Sequence, residues 1–333
     1  MIDEPQETGE RSVKKTGLFG FVRKWDFSGE IVSILIALVI LCAFFSLTSP
    51  YFLTIKNILN FTMNTSILGI MAAGLFIAMV IGEIDVSQYS ILALSTAIMV
   101  IFIRRGMNSG LAIGIAIVVA LVCGMINGFS VAFLRINPII TTLGTMMIYR
   151  GIAFKITEAK ALGVTGVFFS AVGSGRILGI PVSVYIMLGI YLLVHVILTY
   201  TAYGKRVYAV GGNPEASFIS GIDVRMVRFW GLVVSGAAAG LAGLVFVSQV
   251  GATVPTAGQG GLMDVITAVI LGGISLSGGK GKVAGTLIGV LILAILSNGM
   301  VLLSVQSYYQ TIVKGGVILM AVFVDSVRGG GFR

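Results

Sequence analysis

The sequence predicts an all-α, polytopic membrane protein with about ten transmembrane helices, both termini in the cytoplasm and an internal repeat. The first observation is composition: 57% of the 333 residues are hydrophobic and only 11% are charged, whereas soluble domains carry about 25% charged residues. The second is that apolar runs long enough to cross a bilayer recur along the whole chain. The third is an uneven distribution of Lys and Arg between alternate connections, which sets the orientation.

The apolar runs define a transmembrane domain at 31–327, between a cytoplasmic N-terminal tail at 1–30 and a cytoplasmic C-terminal tail at 328–333. The first tail is polar and basic, and it has neither the short apolar core nor the cleavage site of a signal peptide. A helix needs about 20 residues to cross the hydrocarbon core of the membrane, so the predicted spans 86–103 and 264–279 are short. The predicted spans are 31–48, 61–81, 86–103, 111–134, 139–156, 183–200, 228–247, 264–279, 283–303 and 308–325.

Charge fixes the predicted orientation of these spans. With the N-terminus inside, fourteen Lys and Arg residues lie on the cytoplasmic side, five lie outside and three fall within spans. The positive-inside rule then places the connection 157–182 outside the cell and the connection 203–228 in the cytoplasm. The net charge of +9 follows from the same bias and from attraction to anionic membrane lipid, so nucleic acid is not expected as a partner.

The long polar connection 203–228 contains the signals that start and stop a helix. Asn213 suits the N-cap, Pro214 suits the first helical position and Gly221 suits a left-handed end. Glu215 adds a negative charge at the positive end of the helix dipole. A helix this short is not stable alone in water, so it needs a surface to pack against. We therefore predict a docking element for a partner protein, formed by Asn213, Pro214, Glu215, Ala216, Phe218, Ile219, Ser220 and Gly221.

A short internal repeat relates two parts of the chain at an offset of 190 residues, because Ala78–Ser87 resembles Ala268–Ser277. In both copies glycine and serine interrupt an apolar run, a pattern typical of broken helices around a transport path. On the predicted topology both copies lie on the cytoplasmic side, as in a parallel repeat. The candidate residues for a gate or translocation path are Glu83, Asp85, Ser87, Asn127, Thr141, Ser275 and Asn298.

Glu83 and Asp85 form a close acidic pair near the membrane interior, where ionisable groups are costly and usually functional. One interpretation is that they cap the helix that begins at Val86, or act in a gate. The other is that they bind a cation or relay protons, as in an ion-coupled secondary carrier. We favour the first interpretation. A passive channel is a third alternative.

Other polar residues within the apolar runs carry weaker signals. Arg150 lies deep in a predicted span, where it pairs with an acid or lines a cavity, and the lone His195 is expected to be a satisfied intramembrane histidine. The Gly-rich turn before Lys280 resembles a phosphate loop, but its spacing is one residue too long, and Gly281 follows the lysine instead of Ser or Thr. Uncharged hydrogen-bonding groups suit a polyhydroxylated solute better than an ion. The sequence contains no nucleophile–base set and no metal-ligand cluster, so it predicts neither catalysis nor a metal or cofactor in this chain.

Several motifs together resemble one family. They are Pro138–Met146, Gly204–Ala216 with Ser220–Ile222, Pro255–Gly260, Leu271–Gly279, Gly285–Gly289 and Val313–Leu319. These stretches resemble the ribose-type, monosaccharide ABC importer permeases of the branched-chain amino acid and sugar permease family. The resemblance runs from about residue 31 to residue 327. One motif of this chain departs from the family's pattern, Gly-Gly-Ile-Asp-Leu-Ser-Val-Gly. Here Glu83 replaces the second glycine, and Gln88-Tyr89 replaces the final Val-Gly. This difference leaves the identity of the substrate open.

The resemblance implies a permease subunit of the bacterial inner membrane that pairs with a second permease chain, identical or different. It implies cytoplasmic ABC ATPase subunits, which bind ATP and Mg²⁺, and an external solute-binding protein. Asn213–Ser220 is then the coupling helix that seats in a groove of the ATPase. The implied solute is a sugar or sugar-like polyol, and the permease chain itself is not an enzyme.

Overall fold

The structure, a computed structural model, describes residues 29–328, so the two predicted tails lie almost wholly outside the described residues. Within this range it contains thirteen helices and four strands of two residues each. The helices are α1 (Gly29–Thr48), α2 (Ile55–Ile81), α3 (Gln88–Arg104), α4 (Ser109–Ala132), α5 (Pro138–Thr157), α6 (Val167–Gly173), α7 (Val182–Tyr200), α8 (Ala202–Gly212), α9 (Pro214–Ile219), α10 (Val224–Val250), α11 (Gly261–Leu271), α12 (Val283–Leu302) and α13 (Ser307–Arg328). The strands are β1 (Leu162–Gly163), β2 (Arg176–Ile177), β3 (Ile180–Pro181) and β4 (Ala252–Thr253).

A helix lies in each of the ten predicted ranges. Among the described residues, seven helices are long and apolar enough to cross a membrane, namely α1, α2, α4, α5, α7, α10 and α12. The apolar helices α3 and α11 are shorter. The prediction of a helix over 264–279 is wrong in its extent, because α11 ends at Leu271 and a left-handed Gly273 turns the chain into an irregular segment.

Local signals set several of the helix boundaries. The side chains of Thr54, Asn137 and Asp223 each accept a hydrogen bond from a backbone N–H in the first turn of the helix that follows. These bonds satisfy donors that a helix start otherwise leaves unpaired. The helix α2 ends at Gly82, whose φ of 92° is a left-handed conformation that glycine adopts without steric cost.

The long helix α10 packs most extensively against α4 and α2. Glycine permits the close approach to α4: a Cβ added at Gly236 would lie 2.8 Å from both the Ala120 carbonyl oxygen and the Gly124 Cα. The neighbouring α2 is buried continuously from Gly69 to Ile81. Close packing of this kind holds helices together in lipid, where the hydrophobic effect contributes little to helix association.

The helix ends fall into two groups at opposite ends of α2, a helix of 27 residues that spans about 40 Å. At one end, Phe45, Phe52 and Ile295 cluster, which joins the end of α1, the start of α2 and the end of α12. We call this the Phe45 end. At the other end, Val80 at the end of α2 meets Gly279 and the last turn of α8 at Gly211, and we call this the Gly211 end.

The connection 158–181 contains more structure than its sequence indicates. It holds the short helix α6 and an antiparallel hairpin of β2 and β3. Its first strand, β1, pairs with β4 after α10. The end of α10 contacts the start of α2, because the Gln249 side chain donates to the Met63 carbonyl at 2.9 Å. The β1–β4 pair therefore lies toward the Phe45 end.

Candidate functional site

The polar segment at the Gly211 end folds into two short helices, α8 and α9. The Asn213 side chain accepts a hydrogen bond from the Ala216 N–H at 2.9 Å, and Pro214 takes the first position of α9. After α9, Gly221 has a φ of 81°, and its N–H donates to the Phe218 carbonyl at 2.9 Å. The short helix predicted from these residues is therefore present, with the predicted N-cap and the predicted left-handed glycine after it.

α9 presents two apolar side chains to the outside of the chain: Phe218 is 73% exposed and Ile219 is 84% exposed. They border a groove of about 1220 Å³, whose other wall is the connection between α4 and α5 at 133–137. The groove also contains charges of both signs, from Glu83, Arg135, Glu215, Asp223, Arg225 and Arg228. Exposed apolar groups within a polar rim are typical of a protein–protein contact.

The residues just before α9 contact the end of α2 and the irregular segment 272–282 that follows α11. The Gly279 N–H donates to the Val80 carbonyl at 2.8 Å. The irregular segment 272–282 therefore caps the end of α2. Gly211 lies against this bond: a Cβ added there would overlap the Val80 carbonyl oxygen and lie 2.6 Å from the Gly279 nitrogen. A Cβ added at Gly279 would lie 2.5 Å from the Gly212 Cα. Neither Gly211 nor Gly279 has room for a side chain here. We call the contact between Gly211, Val80 and Gly279 the glycine junction.

Glu83 lies within the first interruption, the connection 82–87, and is buried beside the groove. Its carboxylate lies 3.0 Å from the Arg228 Nε, and the Glu83 side chain is only 4% exposed. Burial raises the pKa of Glu83, and the positive charge of Arg228 opposes that shift. The ion pair joins the connection 82–87 to the first turns of α10, so Glu83 has a partner within the chain.

Asp85 is fully buried, and neutral hydrogen-bond donors surround it. One carboxylate oxygen accepts from the Ser87 N–H at 2.9 Å and from the Ser87 hydroxyl at 2.6 Å. The other accepts from the Ser235 hydroxyl on α10 at 2.7 Å. Asn127 on α4 donates to the Ser87 hydroxyl oxygen at 2.8 Å. This network ties the first interruption to α4 and α10, which supports the structural interpretation of Asp85.

The remaining candidate path residues do not join this network. Thr141 is buried, and its hydroxyl has no hydrogen-bond partner within 29–328. Ser275 accepts from the Ser277 N–H at 3.3 Å, within the second interruption. Asn298 lies toward the Phe45 end, where its side-chain amide and that of Asn57 bond each other reciprocally at 2.9 Å. The structure thus brings together Asp85, Ser87 and Asn127 and places the others elsewhere.

A cavity of about 570 Å³ lies between the start of α3, the middle of α5 and the connection to α11. Its lining includes Tyr89, Arg150 and Gln259, none of which was among the candidate path residues. Arg150 pairs with carbonyl groups rather than with an acid: its Nη1 donates to Pro255 at 2.6 Å and to Ala257 at 2.8 Å. The signals available in the sequence were the arginine within an apolar run and the bulky Tyr89 at the end of the acidic motif.

The fold and this site define a multi-pass α-helical membrane protein with interrupted helices, an arrangement that transporters share. The chain belongs to the family described as branched-chain amino acid transport system / permease component, which matches residues 57–322.

Curated relatives cover nearly the whole chain. It is 41% identical over 299 residues to the ribose import permease protein RbsC of Escherichia coli (strain K12), which covers 88% of this chain and 93% of that protein. It is 43% identical over 293 residues to the RbsC of Bacillus subtilis (strain 168), which covers 87% and 91%. It is 38% identical over 319 residues to the D-allose transport system permease protein AlsC of Escherichia coli (strain K12), which covers 95% and 96%. No solved structure matches the chain.

Proposed function

We propose that this chain is the permease subunit of an ABC importer that moves a sugar or sugar-like polyol inward across the bacterial inner membrane. The family, and relatives named for ribose import and D-allose transport, support this proposal. The chain pairs with a second permease, identical or different. An external solute-binding protein delivers the solute, and separate cytoplasmic ATPase subunits supply the energy from ATP with Mg²⁺. This chain contributes the path and the contact with the ATPase.

The proposed topology has ten crossings, formed by α1–α5, α7 and α10–α13. Helix ends at both sides of the bundle support it: α1 and α12 end and α2 begins at the Phe45 end, while α2 ends at the Gly211 end. α11 has only 11 residues, which reach about 16 Å, so the irregular segment 272–282 completes that crossing. The Gly211 end carries Lys205, Arg206, Arg225 and Arg228, and this positive charge supports a cytoplasmic location for that end and for both termini.

One observation supports the coupling role most directly: the exposed pair on α9 is next in sequence to the glycine junction. Only Asn213 separates α8, which carries Gly211, from α9, which exposes Phe218 and Ile219. The junction contacts the end of α2 at Val80 and the irregular segment after α11 at Gly279. A partner that moves α9 therefore acts on both interruptions through a short, closely packed connection.

The mechanism we propose is alternating access. ATP binding closes the ATPase dimer and moves α9, and the glycine junction transmits that movement to the two interruptions. Closure shifts the balance between inward-open and outward-open states only through contacts that differ between them. The closely packed backbones at the junction favour two discrete arrangements over continuous deformation, because packed interiors resist small displacements.

The test is to replace Phe218 and Ile219 together by Ser and to measure solute-stimulated ATPase activity of the reconstituted importer in liposomes. We expect the stimulation to be lost while the chain inserts and folds normally, because both side chains point away from the bundle. The control replaces Leu53 and Ile55 by Ser, which are 64% and 77% exposed at the Phe45 end. Unchanged stimulation in the Phe218 and Ile219 variant would reject the coupling role.

A separate uptake measurement distinguishes the proposal from an ion-coupled carrier that uses Glu83 and Asp85. Both carboxylates have partners within the chain, Arg228 for Glu83 and two serines for Asp85, so their geometry gives that alternative no support. Uptake that stops with a proton ionophore and continues after ATP depletion would establish the ion-coupled carrier instead. Downhill flux that needs neither energy source nor partner would establish a passive channel.

A further inference from the structure

The cavity beside α5 has an open side and unused hydrogen-bonding capacity. Met147 on α5 and Met263 on α11 border it, and they are 70% and 53% exposed. On the same helix, Gly144 and Gly151 have open space where a Cβ would be. At about 570 Å³, the cavity falls within the range of small-molecule sites, about 300–1,000 Å³.

Four polar side chains line the cavity without using all of their hydrogen-bonding groups on the protein. The Ser90 hydroxyl is fully buried and has no partner within the described part of the chain. The Tyr89 hydroxyl and the Gln259 side-chain amide also have no hydrogen bond to any residue in 29–328. Arg150 donates hydrogen bonds to the Pro255 and Ala257 carbonyls from Nη1 alone, so its other N–H groups are available to a ligand.

The rest of the lining is apolar and includes Met146, Phe154 and Leu262. A wall of this kind fits the C–H face of a sugar ring, while the polar groups fit its hydroxyls. Neutral hydroxyl, amide and phenol groups donate and accept, as sugar hydroxyls also do. Arg150 Nη1 donates to two backbone carbonyl oxygens, which hold the guanidinium group against the cavity wall. These features favour a neutral polyhydroxylated ligand.

We propose that Tyr89 determines which sugars fit this cavity, taken as part of the solute path; this rests on the proposed importer function. Tyr89 stands where the related motif ends in glycine. Its ring occupies the space against Gly258 and Gly261, where any Cβ would collide with it. The ring therefore narrows the passage at this point, and its hydroxyl adds a polar contact.

The test is cysteine labelling of the full-length chain in liposomes, with Cys42 and Cys123 replaced by Ala. Met147→Cys is treated with a charged, water-soluble methanethiosulfonate, alone and with D-ribose, D-allose or D-gluconate. The control is Leu193→Cys on α7, which is similarly exposed at 57% but lies away from the cavity. We expect rapid labelling of Met147→Cys only, and slower labelling in the presence of a neutral sugar.

Two further variants test the role of Tyr89. Tyr89→Phe keeps the ring and removes the hydroxyl, and we expect it to raise the sugar concentration for half-maximal protection by about threefold to tenfold, as for one lost hydrogen bond. Tyr89→Gly should change the relative protection by D-ribose and D-allose, because it widens the cavity. Tyr185→Phe is the control, since the Tyr185 hydroxyl bonds the Ile177 carbonyl outside the cavity.

Each other outcome overturns the inference. No labelling of Met147→Cys means that water does not reach this side of the cavity, as expected if it lies against lipid or in a dry protein contact. Labelling that no sugar slows means that the cavity is wet but is not a solute site, and protection by D-gluconate alone means that it is an anion site. If both Tyr89 variants keep the original sugar preference and affinity, Tyr89 does not determine selectivity. Labelling needs neither ATP nor an ATPase, so these results stand apart from the coupling test.

Discussion

Gly211→Ala tests whether the glycine junction couples α9 to the rest of the bundle. The added Cβ would overlap the Val80 carbonyl oxygen and approach the Gly279 nitrogen to 2.6 Å. The hydrogen bond between these two groups, 2.8 Å in the structure, then breaks. The substitution therefore separates α8 from both interrupted helices at the point where they meet.

The expected cost follows from the groups left unpaired. A buried N–H or carbonyl without a partner costs about 1–3 kcal/mol, and alanine in place of glycine within a helix returns about 0.5–1 kcal/mol. Both the Gly279 N–H and the Val80 carbonyl lose their partner, which together costs about 2–6 kcal/mol, so the net decrease in the free energy of unfolding is about 1–5 kcal/mol. We expect a lower midpoint of thermal unfolding in detergent and a weaker solute stimulation of ATPase activity in the reconstituted importer.

Gly212→Ala is the matched control, because a Cβ at this neighbouring position meets no atom within 4 Å. It should leave coupling unchanged and leave stability unchanged or slightly higher. The reasoning fails if Gly211→Ala and Gly212→Ala have the same unfolding midpoint and the same stimulation. It fails for coupling alone if Gly211→Ala is less stable but fully stimulated.

Two further predictions concern buried polar contacts. Asp85→Ala leaves the Ser87 N–H and the Ser87 and Ser235 hydroxyls without an acceptor. It should therefore lower the free energy of unfolding by about 3 kcal/mol or more. Ser235→Ala should lower the free energy of unfolding by less, and equal losses for the two variants in thermal unfolding would contradict this. Asn57→Ala and Asn298→Ala remove one reciprocal amide pair, so a double-mutant cycle should give a coupling energy of about 1–2 kcal/mol. Sugar uptake should then persist in both single variants, and its loss only on Asn298→Ala would restore Asn298 as a path residue.

The sequence predicted the helices and the short docking element because their signals are local. Composition and apolar runs identify the membrane class, and all ten predicted ranges contain helices. Asn213, Pro214 and Gly221 lie within nine residues of each other, and each acts on backbone groups only a few residues away. The error over 264–279 has a local cause too, since an apolar run does not show where glycines end a helix.

The contacts at the candidate sites could not be predicted from the sequence. In lipid, apolar residues surround a helix on all sides, so periodicity does not reveal which face packs inward. The pairing of Asp85 with Ser235 joins residues 150 positions apart, and the cavity brings Tyr89 beside Arg150 and Gln259 from separate elements.

The amino-acid sequence by itself determined the membrane class, the ranges of most helices and the capped helix α9, because each depends on neighbouring residues and on bulk hydrophobicity. The tertiary structure alone decided that Gly211, Val80 and Gly279 meet, and that Tyr89 narrows a cavity against Gly258. Those contacts depend on how closely particular backbones approach once all of the helices are packed, and no stretch of the chain specifies that in isolation.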